Sequence, residues 1–265
     1  MYSPFEIMLA LRYLRARKAE GFVSVIAAFS FLGIMLGVAT LIIVMSVMNG
    51  FRGELIDRIL GLNGHLNVYQ QGSPLYAYDT FMAQIKSVDG VTSVAPVVEG
   101  QVLITANNVA SGAIVRGYAP DYMQKKPLLS KSMIRGKLSD FSGDAVAIGD
   151  KMAEKFGIDV GDTITLMSPK GKSSPFGTIP RTAQYRVAMV FDVGMYEYNA
   201  GYIFMPLDSA QRFFQMPDGS VSLLEVISTD PAKVDTIKDA LSVVLNGSAG
   251  VYDWRDSNAS FFSAL

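Results

Sequence analysis

The sequence contains no cysteine and only one histidine, His65, among its 265 residues. Without cysteine the chain forms neither a disulfide nor a thiolate metal site. A single histidine argues against histidine-based metal sites and against Ser-His-Asp catalysis. We therefore expect no metal centre and no cofactor, and the lack of cysteine is compatible with a bacterial envelope protein.

The sequence also lacks an excess of positive or negative charge. The 23 Lys and Arg residues balance 24 Asp and Glu residues, which gives a formal net charge of −1. Nucleic-acid binding requires a basic footprint, so we expect no nucleic-acid partner.

The sequence has no recognisable catalytic motif. The Gly-Lys-Ser tripeptide at 171–173 has Leu166 where a phosphate-binding loop needs its first glycine. Pro175 and Pro180 would interrupt the helix that should follow such a loop. A G-x-S-x-G motif is missing, and the acidic residues show no paired spacing for acid–base chemistry. The sequence therefore predicts a non-catalytic chain.

Charge is absent from one long stretch, Gly21 to Phe51. At about 1.5 Å per residue, this apolar run can cross a hydrocarbon core of about 30 Å. A helix of a soluble core would show a polar face, and this stretch has none. The alternative is a cleaved signal peptide, but the run is about twice as long as a secretory apolar region and lacks a small-residue cleavage pattern. We predict a first transmembrane helix over 21–50.

The flanking cations are distributed unevenly, with Arg12, Arg15, Arg17 and Lys18 before the span and Arg52 and Arg58 after it. The positive-inside rule then predicts a cytoplasmic N-terminus and an extracytoplasmic domain over 51–265. Apolar residues at helical spacing, among them Phe5, Met8 and Leu9, predict an amphipathic helix in the cytoplasmic interface over 1–20. The alternative for this segment is a simple basic flank.

Small residues recur within the span. Gly33 and Gly37 form a G-x-x-x-G pattern, and Ser30 lies one turn before them on nearly the same face. Small residues at this spacing let another helix approach closely. We predict that Ser30, Gly33 and Gly37 contact a partner helix.

Short elements alternate in the rest of the chain. Strands are predicted at 66–70, 91–106, 111–117, 144–148, 163–168, 183–195, 201–206, 221–229 and 249–253, and helices at 78–88, 150–157, 207–215 and 231–245. A mixture without regular βαβ alternation indicates an α+β fold. After the span, the helix either continues out of the bilayer until Gly61 and Gly64 stop it, or ends near the interface.

The helix at 231–245 has the clearest pattern. Asp230 is a candidate N-cap and Pro231 suits the first helical position. One apolar stripe follows, made of Val234, Ile237, Leu241, Val244 and Leu245.

The most unusual stretch outside the span is the predicted loop at 168–182. It is longer than a hairpin needs and contains three prolines, which lower the entropy lost on docking. Phe176 would stand at its tip, flanked by cations. An apolar tip with a cationic rim is typical of a protein-docking arm. The alternative places Phe176 in the core of its own domain.

Two further residues have alternative interpretations. We expect His65, just beyond the membrane helix, to have a capping or turn role rather than to be a ligand. Trp254 either anchors the domain at the bilayer surface, where its amphipathic ring is favoured, or packs in the core.

Three segments together resemble a known family. Residues 12–51, which end in SVMNGF, followed by the turn at 59–65, are similar to the opening of the lipoprotein-releasing (Lol) ABC transporter permeases, the LolC/LolE family. The segment GDKMAEKFGIDVGDTITLMSP at 149–169 is similar to a later part of that family. The segment WRDSNASFFSAL at 254–265 resembles the residues before its second span.

The resemblance implies a bacterial inner-membrane subunit with four spans, of which this chain holds the first and the large periplasmic domain. That domain would have a membrane-proximal subdomain at 51–115 and 216–265, with a second subdomain inserted at 116–215. The implied partners are a LolD-like ATPase chain that hydrolyses ATP, a second permease subunit, a LolA-like periplasmic carrier, and lipoproteins with membrane lipid.

The resemblance also implies roles for particular residues. The segment at 168–182 would be a hook that binds the carrier, with the residues Lys170, Lys172, Pro175, Phe176, Gly177, Pro180 and Arg181. Residues at the outer end of the span, Met45, Met48 and Phe51, would contact lipoprotein, since methionine adapts to varied shapes. The sequence does not distinguish a LolC-like subunit, a LolE-like subunit and a single subunit that serves both roles as a homodimer.

Two other classes stay open at this stage. One is another permease of the same architecture, such as a macrolide or toxin exporter or a cell-division regulator, which would not need a carrier-docking loop. The other is a periplasmic enzyme anchored by a single span, which the lack of cysteine and the single histidine disfavour.

Overall fold

The computed structural model describes residues 4–14, 21–174 and 177–257, although a few side chains within these ranges are not placed. The chain forms two compact units, Met1–Ile56 and Asp57–Leu265. The first contains helix α1 (Pro4–Leu14) and most of helix α2 (Gly21–Leu62). The prediction for residues 15–20 as part of the first helix lies outside the described residues.

Helix α2 contains the predicted membrane span. Its segment Val25–Gly50 has a mean hydropathy of 2.5 and is long and apolar enough to cross a membrane. The helix continues beyond this segment to Leu62. This confirms the first of the two alternatives, in which the helix continues past the span, rather than the one in which it ends near the interface. Gly61 lies inside the last turn of α2 and does not stop it, which corrects the role predicted for this glycine.

The second unit is an α+β domain. Its further helices are α3 (Tyr78–Lys86), α4 (Pro120–Lys125), α5 (Pro127–Ser130), α6 (Asp150–Phe156), α7 (Tyr196–Gly201), α8 (Leu207–Phe214), α9 (Val234–Leu245) and α10 (Trp254–Ser257). Its strands are β1 (Leu66–Tyr69), β2 (Leu75–Tyr76), β3 (Val91–Ala106), β4 (Val109–Tyr118), β5 (Met133–Gly136), β6 (Ala145–Gly149), β7 (Thr163–Ser174), β8 (Gly177–Phe191), β9 (Tyr202–Pro206), β10 (Ser220–Val221), β11 (Leu223–Ser228) and β12 (Gly250–Asp253).

Ten strands in the described part of the chain form one mixed sheet. The strand order is β12-β1-β11-β3-β4-β9-β6-β8-β5, and β7 pairs with β3 and β8 beside this path. The pairs β4–β9 and β6–β8 are parallel, whereas β3 pairs antiparallel with β11, β4 and β7. Strand β3 is 16 residues long, and its two halves pair with different neighbours, which makes the sheet continuous.

The first and last strands of the domain lie side by side. Leu66 of β1 pairs with Asp253 of β12 on one side and with Val226 of β11 on the other. The backbone N–H of Trp254 donates to the carbonyl oxygen of His65 at 3.1 Å. The chain therefore leaves the sheet next to the place where α2 leads into it.

Two clusters of buried apolar side chains form the core. The larger contains residues from both ends of the sheet, and Trp254 packs against it, which favours the core alternative for this residue. The smaller joins Leu62, at the end of α2, to Tyr118, Met123 and Phe204.

Helix α9 differs in detail from its prediction. A short 3-10 turn, Pro231–Lys233, precedes it, so the N-cap position is Lys233 rather than Asp230. Val234, Ile237, Leu241 and Leu245 are buried as predicted, whereas Val244 is exposed. The α-helix therefore begins later than predicted, and its buried face is narrower than the apolar pattern suggested.

The largest correction concerns the predicted loop at 168–182. Most of it belongs to strands β7 and β8, which pair antiparallel from Thr163↔Arg186 to Ser174↔Gly177, with a register shift between Ser168 and Lys172. Prolines and glycines led to the loop prediction, but strands at a sheet edge tolerate proline, because an edge strand has N–H groups without a ladder partner.

Candidate functional site

Two features of the second unit are candidates for function: a long hairpin and a cluster of buried polar groups at the end of α2. The hairpin consists of residues 168–182, and we call it the β7–β8 arm. Strand β7 pairs with β3 through Thr165–Met167, and β8 pairs with β6 from Arg186 onward. Between these points, the described residues of the arm have ladder partners only within the arm itself.

The structure places most of the predicted carrier-binding residues in this arm. Lys170, Lys172 and Gly177 lie in its strands, and Pro180 and Arg181 lie on the returning strand. Pro175 and Phe176, at the predicted tip, lie outside the described residues. Ile179, which the sequence analysis did not single out, is 64% exposed on the returning strand and adds apolar surface to the arm.

The second feature is centred on Lys126, which lies between α4 and α5 and is buried. Its Nζ donates to the carbonyl oxygen of Leu62, at the C-terminal end of α2, at 2.6 Å. The same Nζ forms a salt bridge of 2.6 Å with Oε1 of Glu225, on β11. One side chain therefore joins the end of the long helix to a strand in the interior of the sheet.

Two tyrosines complete the surroundings of Glu225. The hydroxyl of Tyr118, at the end of β4, donates to Oε2 at 2.9 Å, and the hydroxyl of Tyr122, on α4, donates to Oε1 at 2.7 Å. Nζ of Lys126 also lies 5.0 Å and 5.7 Å from the two ring centroids, within the range of cation–π attraction. Both charges are thus paired and hydrogen-bonded, as buried charges require.

The next residue of the chain, Asn63, is held in a similar way. Arg116, on β4, donates from Nη1 to Oδ1 of Asn63 at 2.6 Å and pairs through Nε with Oε2 of Glu99, on β3, at 2.5 Å. Nδ2 of Asn63 donates to the hydroxyl of Tyr198 at 2.5 Å. We refer to Leu62, Asn63, Glu99, Arg116, Tyr118, Tyr122, Lys126 and Glu225 as the helix-end cluster.

Glycines allow the close approach on which this cluster depends. A Cβ atom at Gly64 would stand 2.4 Å from Cγ of Glu225 and 2.9 Å from the carbonyl oxygen of Leu66. A Cβ atom at Gly61 would stand 2.9 Å from Cδ2 of Leu128. Only glycine fits at these two positions without displacement of a neighbour, which gives both glycines a packing role.

The pKa shifts within the cluster favour a charged carboxylate at Glu225 and protonated hydroxyls at Tyr118 and Tyr122. Burial raises the pKa of Glu225, but the charges of Lys126 and Arg116 outweigh it and hold the pKa below its usual range. Burial lowers the pKa of Lys126, and the carboxylate of Glu225 opposes this effect. Burial, with the charge of Glu225 as the next cause, raises the pKa values of Tyr118 and Tyr122, so both hydroxyls stay protonated donors.

His65 is a buried member of the same region and lies in the bend between α2 and β1, in keeping with the predicted turn role. Its Nδ1 accepts from the backbone N–H of Ser228 at 3.0 Å and lies 2.7 Å from the Ser228 hydroxyl oxygen. Burial, the largest cause, lowers the pKa of His65 together with the charge of Lys126, whereas Glu225 raises it. The ring therefore serves as a neutral acceptor at the start of β1.

This arrangement predicts a loss of stability in acid. Because folding depresses the pKa of His65 from 6.5, its contribution to stability is full above that pH and is lost as the pH falls below it. Each pKa unit of depression corresponds to about 1.4 kcal/mol. We expect the melting temperature of the purified protein to fall between pH 7.5 and pH 5, and we expect His65→Gln to flatten this fall. An unchanged pH profile in the variant would contradict the assignment.

For the predicted residues of the membrane span, the described part of the chain gives only their exposure. Gly33 and Gly37 are exposed, and nothing lies within 4 Å of a Cβ atom at either position. Ser30, Met45 and Met48 are also exposed, and the side chain of Phe51 lies outside the described residues. The proposed partner-helix and lipoprotein contacts of these residues stay predictions.

Sequence reasoning missed the helix-end cluster, although weak signals existed. Glu225 is a lone charge inside the strand predicted at 221–229, and Arg116 is a lone charge inside the strand predicted at 111–117. A buried charge in a strand requires a partner. Lys126 follows another lysine and has no distinguishing pattern. Among the described residues, no group of three or more metal-ligating side chains could hold a metal ion.

A family model matches most of the chain. Residues 27–244 match the family model of the MacB-like periplasmic core domain. The crystal structure of the periplasmic region of MacB from Actinobacillus actinomycetemcomitans aligns with a TM-score of 0.48 and 13% sequence identity, over 78% of this chain and 96% of that one. By the family match, the chain is a membrane protein with a MacB-like periplasmic domain.

The relatives narrow this class. The chain is 32% identical over 267 residues to the lipoprotein-releasing system transmembrane protein LolC of Xylella fastidiosa, covering 100% of this chain and 64% of the relative. It is 24% identical over 237 residues to LolE of Haemophilus influenzae, covering 87% of this chain and 56% of the relative. The chain therefore belongs to the LolC/LolE family of permeases, a transporter family without its own catalytic domain. It spans less than two thirds of the length of these relatives.

Proposed function

We propose that the chain is part of a permease subunit in an ATP-driven complex that extracts lipoproteins from the inner membrane and passes them to a periplasmic carrier. The similarity to LolC over 100% of the chain carries this proposal. A separate LolD-like chain hydrolyses ATP, and a second permease subunit completes the membrane part. The N-terminus is cytoplasmic and the domain after Gly50 is periplasmic, as the distribution of arginine and lysine predicts.

The β7–β8 arm supports a docking role for the domain. Its described residues have ladder partners only within the arm, and it carries exposed Ile179 and Pro180 together with several cations. We propose that a LolA-like carrier binds this arm, with Phe176 as the apolar anchor at its tip and Lys170, Lys172 and Arg181 at the rim. Apolar anchors within a polar rim are the usual anatomy of a protein interface.

The exposed faces of α2 suit two kinds of membrane contact. The face with Ser30, Gly33 and Gly37 lacks bulk and would accept a helix of the second permease subunit. Met45, Met48 and Phe51, nearer the end of the span, would contact the acyl chains of the lipoprotein. Both assignments are proposals from the sequence pattern.

The strand pairing supports a division of the periplasmic domain into two subdomains. Strands β1, β11 and β12 pair with one another and with the first half of β3, whereas β5, β6, β8 and β9 lie at the other end of the sheet. We propose that 51–115 with 216–265 form the membrane-proximal subdomain, and that 116–215 form the inserted subdomain that carries the arm.

Reconstitution tests the proposed function. The complete permease, with its ATPase chain, would be placed in liposomes with a fluorescent triacylated lipoprotein, and soluble fluorescence would be measured. We expect release that requires both ATP and the carrier, and that an ATPase chain without hydrolytic activity abolishes. ATP-dependent export of a small molecule, with no lipoprotein release under any condition, would indicate another permease of the same architecture.

A further inference from the structure

We propose that a cavity beside His65 binds one amphiphilic anion, a molecule with a phosphate or carboxylate head and an alkyl chain. The cavity has a volume of about 470 Å³, which is within the usual range of ligand pockets. We call it the His65 cavity. Its described lining lies between Leu60 and Ile227, within the second unit, and the proposal does not depend on the proposed function.

The floor of the His65 cavity is formed by three neighbouring chain segments of the sheet. Ile227 on β11 is paired with Ser93 on β3. His65, just before β1, is hydrogen-bonded to Ser228, the neighbour of Ile227 in the chain. The side of the sheet that faces the cavity therefore combines one aliphatic, one hydroxyl and one imidazole side chain.

The walls come from the end of α2 and from two short helices. Described wall residues are Leu60 and Gly61 of α2, Tyr122 and Lys125 of α4, and Pro127 of α5. With Ile227 on the floor, the lining is mostly apolar and offers carbon surface to an alkyl chain. An apolar pocket with a few convergent polar groups is the usual form of a small-molecule site.

His65 supplies an unused donor to this cavity. Its side chain is only 8% exposed, and Nδ1 accepts from the backbone N–H of Ser228 at 3.0 Å. A neutral imidazole has one donor and one acceptor nitrogen, so Nε2 carries the proton. In the described part of the chain Nε2–H has no hydrogen-bond partner, yet it is not among the polar atoms that the protein encloses completely. Buried donors are normally satisfied, and here the acceptor has to come from the cavity.

The charges at the cavity favour an anion. Lys125 is exposed, and the ion pairs of the described residues do not include it. Lys126 also lines the cavity, but its charge is balanced by Glu225 at 2.6 Å. The described lining contains no aspartate or glutamate. One cation is therefore left without a counter-charge beside the free Nε2–H donor, and charge-assisted hydrogen bonds to an oxyanion are strong.

The other polar groups explain why the ligand would be amphiphilic rather than polar throughout. The Tyr122 hydroxyl donates to Glu225 at 2.7 Å, and the Ser93 hydroxyl donates to Tyr122. These donors are already used, so a sugar or another polyol would find few partners. The acylated end of a lipoprotein carries no anionic head, and the ligand is therefore not the proposed cargo.

The test uses the purified 265-residue chain in phosphatidylcholine nanodiscs, with ¹⁵N-labelled histidine. Because His65 is the only histidine, one pair of ring nitrogen resonances reports on the site. Octyl phosphate is the probe. Octyl glucoside has the same chain without the charge, and inorganic phosphate has the head without the chain. All three would be titrated at pH 7.5.

We expect octyl phosphate to shift the Nε2 resonance saturably, with a dissociation constant of about 1 mM, as usual ligand efficiencies give for a molecule of its size. Octyl glucoside and inorganic phosphate should bind at least about tenfold more weakly, because each lacks either the charge-assisted contact or the buried chain. The absence of a saturable shift would overturn the site. Equal binding of octyl glucoside would overturn the anion, and equal binding of inorganic phosphate would overturn the amphiphile.

The pKa of His65, measured with and without saturating octyl phosphate, places the head group. An anion beside the ring favours the protonated form, so the pKa should be higher in the saturated sample. The charges of Glu225 and Lys126 act on the ring in both samples, and the difference therefore reports the ligand. An unchanged or lower pKa would place the head away from His65 and would overturn the proposal.

Lys125→Ala tests the second contact, with Lys86→Ala as the matched control, because Lys86 is an exposed lysine of α3 outside the cavity lining. We expect Lys125→Ala to weaken octyl phosphate binding about three- to fivefold, the worth of one exposed ion pair, at an unchanged melting temperature. The control should change neither value, and equal affinities in the two variants would overturn the role of Lys125. If Lys125→Ala did not fold, the titration of the unaltered chain would decide alone. None of these measurements uses the ATPase, the carrier or a lipoprotein, so the release assay decides the proposed function separately.

Discussion

Glu225→Leu is expected to lower the free energy of unfolding of the periplasmic domain by about 3–5 kcal/mol, the usual cost of removing one partner of a buried ion pair. The physical cause is the ammonium group of Lys126, which stays buried and loses its carboxylate. Tyr118 and Tyr122 also lose the acceptor of their hydroxyl groups. Domains have total stabilities of about 5–15 kcal/mol, so the variant would be close to unfolding.

Thermal unfolding measures this effect directly. In a domain of this size each kcal/mol shifts the melting temperature by about 2–4 °C, so we expect a decrease of roughly 6–20 °C. The double variant Lys126→Met/Glu225→Leu is the control, because it leaves no unpaired charge, and we expect most of the loss to be recovered. A single variant that melts with the parent protein would show that the Lys126 cation is solvated or neutral in the folded state.

Much of the strand and helix content could be predicted from the sequence, because it depends on local patterns. Strand β3 has the predicted bounds of 91–106, and it ends at a two-residue turn in which Asn107 and Asn108 have positive φ angles of 47° and 62°. Asparagine tolerates this conformation, and such turns join antiparallel strands tightly. By contrast, α4, α5 and β5 are each four to six residues long. Elements this short depend on tertiary packing rather than on periodicity.

The helix-end cluster could not be predicted, because its contacts join residues that are far apart in the chain. Leu62 and Lys126 are separated by 64 positions, and Tyr118 and Glu225 by 107. Only the register of β11 against β1 and β3 brings Glu225 to the end of α2. The β7–β8 arm shows the opposite error: its composition predicts a loop, but long-range pairing makes most of it strand.

Phe176→Ala is expected to weaken carrier binding by about thirtyfold, which corresponds to about 2 kcal/mol, the typical minimum cost of truncating an interface anchor. The reason is the expected burial of one aromatic ring by the partner, next to strands that are already paired up to Ser174 and Gly177, so little ordering entropy opposes binding. The cations at 170, 172 and 181 should act mainly on the association rate, and their effect should weaken as salt rises.

Paired measurements separate docking from folding. Carrier titration and thermal unfolding would be carried out on the same Phe176→Ala and Pro175→Ala proteins, with Val243→Ala as the matched control, since Val243 is an exposed apolar residue on α9, outside the arm. Weaker carrier binding at an unchanged melting temperature supports the arm as the docking site, provided that Val243→Ala changes neither value. If Phe176 instead packs into its own domain, the melting temperature falls while folded protein binds the carrier normally, because an isolated two-stranded hairpin depends on such contacts for its stability.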